Sequence, residues 1–170
     1  TYPQIGNTGV NKEDLESVTG GCSGIIVKEL SKIESNWRKD NDLSSFLREK
    51  NISGIANIDT RKLTRIIRDK GSQISAIVPE EYSKKQIEAL FKSFDGIKGK
   101  DLARKVTTKE AYIWKEPSYR NEIKKNSYKV VAYDFGVKHN ILRLLVDRGC
   151  EVLVVPAETS AEDVLKENPD

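Results

Sequence analysis

The chain has 170 residues, of which 37% are hydrophobic and 32% are charged, and its formal net charge is +3. This composition suits a globular protein with a modest core. No apolar run approaches the roughly 18 residues that a membrane span needs, so we expect no transmembrane segment and no membrane partner. The basic residues alternate with acidic ones, as in "RKDNDLSSFLREK", and do not form a block, so we expect no nucleic-acid partner.

The first residues of the chain and its cysteines indicate what kind of chain it comes from and in which redox environment it folds. "TYPQIGNTGV" has neither the basic region nor the apolar region of a signal peptide, and the chain contains no Met, so we expect a piece cut from a longer chain. Two cysteines, Cys22 and Cys150, predict no disulfide framework, and with one histidine they cannot complete a zinc site. We expect Cys150 to be an inert core thiol in a reducing, cytoplasmic environment.

The first third of the chain predicts turns, a strand and a helix. Residues 1–24 contain "TGGCSG", which resembles a phosphate-binding loop, but no Gly-Lys-Ser/Thr follows it and no strand precedes it, so turns are favoured. Residues 24–30 predict a strand. Residues 42–51 predict a helix capped by Asp42. The apolar side of that helix contains Leu43, Phe46 and Leu47.

Residues 54–71 predict a short apolar segment followed by a helix with a basic face. Asp59 and Thr60 are suitable helix caps, and Gly71 ends the pattern. The basic face could bind phosphate or a partner, but a solvated face with cations near the helix C-terminus is favoured. Leu63, Ile66 and Ile67 form the apolar side, and Arg61, Lys62, Arg65, Arg68 and Lys70 lie elsewhere on the helix.

The segment up to residue 127 predicts a strand over 72–78, closed by a proline, and an amphipathic helix over 83–94. Residues 101–114 indicate a helical turn followed by an extended stretch. Residues 115–127 are polar and lack periodicity, so they predict a linker. We therefore place a domain boundary near residue 127.

Residues 128–170 change to an α/β pattern. Residues 128–134 and 151–157 are nearly continuous apolar runs, as expected of strands that are covered on both faces. Residues 138–149 between them predict a helix, and residues 160–169 predict another. A strand, a crossover helix and a second strand indicate a parallel sheet. We expect the core side of the first helix to contain Ile141, Leu144 and Leu145.

Candidate catalytic residues are few. Asp134 ends a strand, where ligand sites of α/β sheets gather, but a role in bonding the following loop or helix is favoured. "DFG" here lacks the other motifs of a protein kinase, and Gly136 alone does not make a dinucleotide fingerprint. His139 has no serine or cysteine placed as a nucleophile partner, and no Gly-x-Ser/Cys-x-Gly elbow occurs. The residues predict no catalytic, substrate-binding or metal site in this chain.

Several stretches in order resemble one family. They are "TYPQIGNTGVN", "DLSSFLREKNISGIANIDTRKLTRIIRDKG", "DLARKVTTKEAY", "VVAYDFGVKHNILRLLVDRGC" and "VPAETSAEDVLKENPD". Together they resemble the small, glutamine-hydrolysing chain of carbamoyl-phosphate synthase over essentially the whole sequence. The Ile-Asp-Thr-Arg-x-Leu-Thr and Ala-Tyr-Asp-Phe-Gly runs are the most specific parts of the match.

The resemblance implies an α/β fold with two domains. Residues 1–127 would be most of a swivelling β/β/α N-terminal domain that contacts the large synthetase subunit. Residues 128–170 would be the first βαβα unit of a flavodoxin-like class I glutamine amidotransferase domain. In the family, that domain hydrolyses glutamine and passes ammonia to the large subunit. The large subunit then makes carbamoyl phosphate from ammonia and bicarbonate with ATP and magnesium, for arginine and pyrimidine synthesis.

The resemblance places none of the family's functional residues on this chain. The nucleophile elbow and the triad histidine would follow Asp170, and a glutamine-contacting serine would precede Thr1. Cys22 and Cys150 do not match the nucleophile, and His139 does not match the triad histidine. We therefore expect this chain alone to be inactive as a glutaminase and to need no cofactor of its own. A partner-binding module without catalysis is the alternative.

Overall fold

A computed structural model describes residues 4–17, 21–123, 125 and 127–170. The chain divides by contacts into two compact units. The first unit comprises Thr1–Asp14 and Thr19–Lys98, and the second comprises Leu15–Val18 and Gly99–Asp170. Both contain helices and small sheets, which agrees with the predicted α/β class. Among the described residues, no helix is long and apolar enough to cross a membrane.

In the part of the chain that the structure describes, the first unit contains four short strands and three helices. The strands form two parallel pairs, β1 with β3 and β2 with β4. The predicted strand 24–30 is thus two strands, because residues on either side of Val27 and Lys28 pair in different sheets. The elements are β1 (Gln4–Ile5), β2 (Gly24–Ile26), β3 (Glu29–Leu30), α1 (Leu43–Glu49), β4 (Ser53–Ile55), α2 (Thr60–Lys70) and α3 (Lys84–Ser93).

Local capping explains where the helices of this unit begin. Asp42 accepts a hydrogen bond from the backbone N of Ser45 at 2.9 Å, and Asp59 accepts one from Lys62 at 2.9 Å. Ser83 and Gln86 form a capping box at α3. Such bonds satisfy amides that have no partner inside the helix. The predicted caps of α1 and α2 are confirmed.

The predicted strand over 72–78 is wrong. In the structure this segment has no regular secondary structure, and Ile74 is 54% exposed. A stretch with β propensity becomes a strand only when it pairs with a neighbouring strand, and this segment pairs with none that the structure describes. The expected apolar sides of α2 and α3 are also largely exposed, with Ile67 at 43% and Phe91 at 40%.

The second unit is built around a sheet of three strands in the order β5-β7-β6. β6 and β7 are parallel, from Tyr128 opposite Cys150 to Asp134 opposite Pro156, and β5 is antiparallel to β7. The predicted helical turn, extended stretch and βαβ order are confirmed. The elements are α4 (Ala103–Val106), β5 (Tyr112–Trp114), β6 (Tyr128–Asp134), α5 (His139–Asp147), β7 (Cys150–Pro156) and α6 (Ala161–Lys166).

The core of this unit lies between α5 and β7. The predicted core side of α5 is wrong for two of its three residues: Ile141 is 53% exposed and Leu144 is 42% exposed. Five of the nine residues of α5 are apolar and cover a wide arc, so periodicity alone does not locate the centre of the buried side. The buried residues that form the core are Leu142, Val146, Cys150, Val152 and Val154, with Leu145 packed against them.

The second unit extends before the boundary that the sequence predicts. It includes residues 99–127, and β5 comes from this range. The expected linker is also attached to the unit, because Ser118 N and Asn121 Nδ2 donate to the carboxylate of Asp147 at 2.9 and 3.0 Å. The assignment of residues 1–127 and 128–170 to two family domains stays a prediction.

Candidate functional site

The sequence indicates that a ligand site, if present, would lie at the carboxyl edge of β6 and β7. Asp134 lies at this edge. Its side chain is nearly buried, with 8% of the residue exposed. Oδ1 accepts hydrogen bonds from Gly136 N at 2.9 Å and Val137 N at 3.0 Å, and Oδ2 accepts one from Thr108 N at 2.7 Å. Three backbone donors therefore hold the carboxylate. Asp134 has the structural role that the sequence favours, fixing the loop that leads into α5.

The segment after α4 closes this edge of the sheet. Thr107 Oγ1 accepts a hydrogen bond from Ala157 N at 2.8 Å, so residues 107 and 108 bind the ends of both parallel strands. Arg104 forms an ion pair with Glu158. Gly136 has a φ of +89°, and a Cβ at this position would lie 3.2 Å from Val106 Cγ2. Residues 104–108 thus pack on the carboxyl edge of the sheet, where ligands of α/β sheets usually bind.

Tyr112, on β5, has a perturbed acidity. Burial raises the pKa of Tyr112, and the nearby negative charge of Asp134 raises it further. Both effects disfavour the tyrosinate, so the phenol stays protonated at neutral pH. Tyr112 also packs against the core cluster. Its altered pKa reflects packing around an acidic residue rather than the activation of a base.

His139 lies in the first turn of α5, as predicted, and is half-buried. Its ring is tilted against the Trp114 ring with centroids 4.8 Å apart, and its backbone N donates to Glu16 O at 3.1 Å. Among the described residues, no serine or cysteine forms a hydrogen bond with the imidazole. The position suits a packing residue, and it offers none of the geometry of a nucleophile and its base.

The two cysteines are in different surroundings. Cys22 is exposed and Cys150 is buried, and both are free thiols. Cys150 belongs to the hydrophobic core, as predicted from its position before a buried strand. No base that the structure describes forms a hydrogen bond with either thiol, whereas a thioester-forming nucleophile needs such a neighbour. Within the residues that the structure describes, no group of three His, Cys, Asp or Glu could hold a metal ion.

The first unit offers a cleft and a charged face. The cleft has a volume of about 240 Å³ and is lined mainly by apolar side chains, among them Val27, Leu43 and Leu47. It lacks the convergent polar groups that orient a small substrate. On α2, Arg61, Lys62, Arg65, Arg68 and Lys70 are all exposed. Arg68 pairs with Asp69 at 3.2 Å, and the basic face remains available to an acidic partner surface.

Sequence reasoning missed the contacts that organise the second unit. Thr107 and Thr108 bind strand ends that lie 50 and 26 positions further along the chain, respectively. Glu16 and Arg143 contribute to contacts that span 124 and 128 positions. A single sequence carries no signal for such pairs, because each residue type is also common on solvated surfaces.

The chain matches known proteins along its whole length. Residues 1–77 match a family model described as the carbamoyl-phosphate synthase small chain, CPSase domain. The chain is 54% identical to the carbamoyl phosphate synthase small chain of Vibrio parahaemolyticus over 179 aligned residues. It is 51% identical to the corresponding chain of Escherichia coli over 180 aligned residues. Each alignment covers 100% of this chain and 47% of the relative, so the chain spans just under half the length of these relatives.

Proposed function

The chain is related along its whole length to the carbamoyl phosphate synthase small chains, and we propose that it forms part of the glutaminase subunit of such a synthase. The observation that carries this proposal is an overall identity above 50% in alignments that cover 100% of this chain. In this subunit, glutamine is hydrolysed and ammonia is supplied to the large subunit for carbamoyl phosphate synthesis. The product serves arginine and pyrimidine synthesis in the cytoplasm.

The two parts of the chain have different roles in this proposal. Residues 1–127 belong to the swivelling N-terminal domain, which contacts the large subunit. Residues 128–170 begin the flavodoxin-like amidotransferase domain. The parallel strands β6 and β7, joined by α5, support the second assignment because such domains are built from βαβ units. ATP and magnesium are used by the large subunit, and this chain needs no cofactor.

A partner-binding role without catalysis is the second candidate function. It is favoured by the site geometry: Asp134 is held by backbone amides, Cys150 is in the core, and His139 packs on Trp114. Under either proposal this chain contributes scaffold and contact surface rather than the reacting groups.

The two candidates predict the same result for the chain alone and different results for the longer protein. The isolated chain, mixed with glutamine, is expected to release no glutamate above the buffer background. Glutamate release from the isolated chain would contradict the absence of a glutaminase site. The same assay on the natural protein that contains these residues, bound to its large subunit, separates the candidates: release supports the glutaminase subunit, and binding without release supports the partner-binding module.

A further inference from the structure

A segment from the beginning of the chain lies on the N-terminal turn of α5. The backbone O of Glu16 accepts a hydrogen bond from His139 N at 3.1 Å, and its carboxylate accepts one from Asn140 N at 3.0 Å. The residue that precedes α5, Lys138, provides no side-chain cap. The first amides of a helix have no partner within the helix. Glu16 therefore acts as the cap of α5 from a distance of more than 120 positions in the sequence.

Arg143 holds the same segment one turn further along α5. Its two terminal nitrogens both donate to the backbone O of Leu15 at 3.3 Å. Only 8% of Arg143 is exposed, and its guanidinium lies 5.9 Å from the centre of the Trp114 ring. A buried cation is costly unless acceptors surround it. The carbonyl of Leu15 and the face of Trp114 supply this environment.

The segment nevertheless lies at the surface of the unit. Glu16 and Ser17 are exposed, Leu15 is half-buried, and none of the three lies in a helix or strand. Hydrogen bonds that are exposed to water and supported by little apolar burial open at low free energy. The hydrogen bond between Glu16 and Asn140 is exposed to water, so it opens at low cost. The two bonds from Arg143 to Leu15 are partly buried and make the attachment specific.

We propose that Leu15–Ser17 is a releasable strap of the second unit. When bound, it completes the first turn of α5 and covers Arg143. When released, it leaves the amides of His139 and Asn140 without protein acceptors and exposes to water the guanidinium of Arg143, which lies over the Trp114 ring. The strap thus links the segment that follows Asp14 to the conformation of α5, and a partner that draws this segment away would loosen the start of the helix.

Amide hydrogen exchange of the whole 170-residue chain tests the strap. Glu16→Ala removes the carboxylate that accepts from Asn140 N but keeps the backbone O that accepts from His139 N. Exchange at Asn140 is expected to be about 2- to 30-fold faster, the range that follows from losing a helix cap, and exchange at His139 rises as well because the weakened strap opens more often. Glu16→Gln keeps an acceptor and should show a smaller increase. Glu162→Ala removes an exposed glutamate from the first turn of α6 and serves as the matched control, with no change expected at α5.

The pattern of exchange decides the outcome. A selective increase at His139 and Asn140, with the amides of β7 unchanged, supports a releasable strap. Unchanged rates at both positions in Glu16→Ala would overturn the proposal. An equal increase throughout β7 would also overturn it, because the segment would then be an inseparable part of the core. Fluorescence quenching of Trp114 in a Trp37→Phe background provides a second readout, and Glu16→Ala should make Trp114 more accessible to the quencher.

Discussion

At the scale of single residues, several polar side chains of the second unit organise backbone rather than chemistry. Asp134 receives three backbone amides, and Thr107 receives the amide of Ala157. The sequence favours this role for Asp134, because a carboxylate at the end of a strand is well placed to bond the following loop. Its third donor, Thr108, could not be predicted, because it comes from a segment 26 residues earlier.

Asp147 is another polar residue whose side chain organises the backbone, and it lies at the C-terminal end of α5. It ends α5, where a negative charge is unfavourable to the helix dipole. It compensates by accepting hydrogen bonds from Ser118 and Asn121. Burial by itself would raise the pKa of Asp147, but the hydrogen bonds and the charge of Arg148 outweigh it, so the pKa lies below its ordinary value. Asp147 thus ties residues 118–121 to the helix in its ionised form.

Stability should therefore depend on the ionisation of Asp147. Because its pKa is lower in the folded chain than in the unfolded chain, its contribution is complete above about pH 5 and is lost as pH falls below about 4. We expect Asp147→Asn to lower the free energy of unfolding by about 1 kcal/mol or less at neutral pH, with a difference that shrinks in acid. Denaturant unfolding at pH 7 and pH 3, followed by fluorescence, measures the difference in the free energy of unfolding between the variant and the natural chain.

The control for this prediction is Asp69→Asn. Asp69 forms an exposed pair with Arg68, and such pairs contribute little to stability. Its removal should cause no comparable loss at either pH. If Asp147→Asn is as stable as the natural chain at neutral pH, or if its deficit is the same at pH 3 as at pH 7, the assigned role of Asp147 is wrong.

At the scale of elements, local signals located the helices well and the short strands poorly. The caps of α1 and α2 and the apolar runs of β6 and β7 act over a few residues, so a sequence reveals them directly. The segment 72–78 shows the limit, because a strand also needs a partner that composition does not identify. The division of 24–30 into β2 and β3 has the same origin.

The buried side of α5 provides a matched test of packing. Leu142 is fully buried, whereas Leu144 on the same helix is 42% exposed. Replacing a buried leucine by alanine costs about 2–5 kcal/mol, whereas surface changes usually stay within about 0.5 kcal/mol. We expect Leu142→Ala to destabilise the second unit strongly and Leu144→Ala to have little effect. Urea unfolding of both variants measures the two decreases in the free energy of unfolding.

A larger loss of stability in Leu144→Ala than in Leu142→Ala would show that the core side of α5 is the one that sequence periodicity predicts. Equal and large losses would show that both leucines are buried in solution. Either result would contradict the packing described for this helix.

At the scale of the whole molecule, family resemblance carried more information than the residues alone. Composition and periodicity indicate an α/β protein and reveal no catalytic set, which leaves many functions open. The ordered motifs point to the small chains of carbamoyl-phosphate synthase, and the identities to relatives support that relationship over the full chain. The strap at Glu16 was not predictable, because its contacts depend on how distant segments meet.

A chimera tests the proposed function in the complete enzyme. These 170 residues replace the matching segment of the Escherichia coli small chain, which is 51% identical, and the chimera is produced with the large chain of that organism. Carbamoyl phosphate formation is measured with glutamine and, separately, with ammonia, and the large chain without the chimera gives the background. If the proposed function is correct, the chimera forms a stable complex with the large chain and makes carbamoyl phosphate from glutamine. A chimera that fails to bind the large chain, or that binds it and uses only ammonia, would contradict the proposed function.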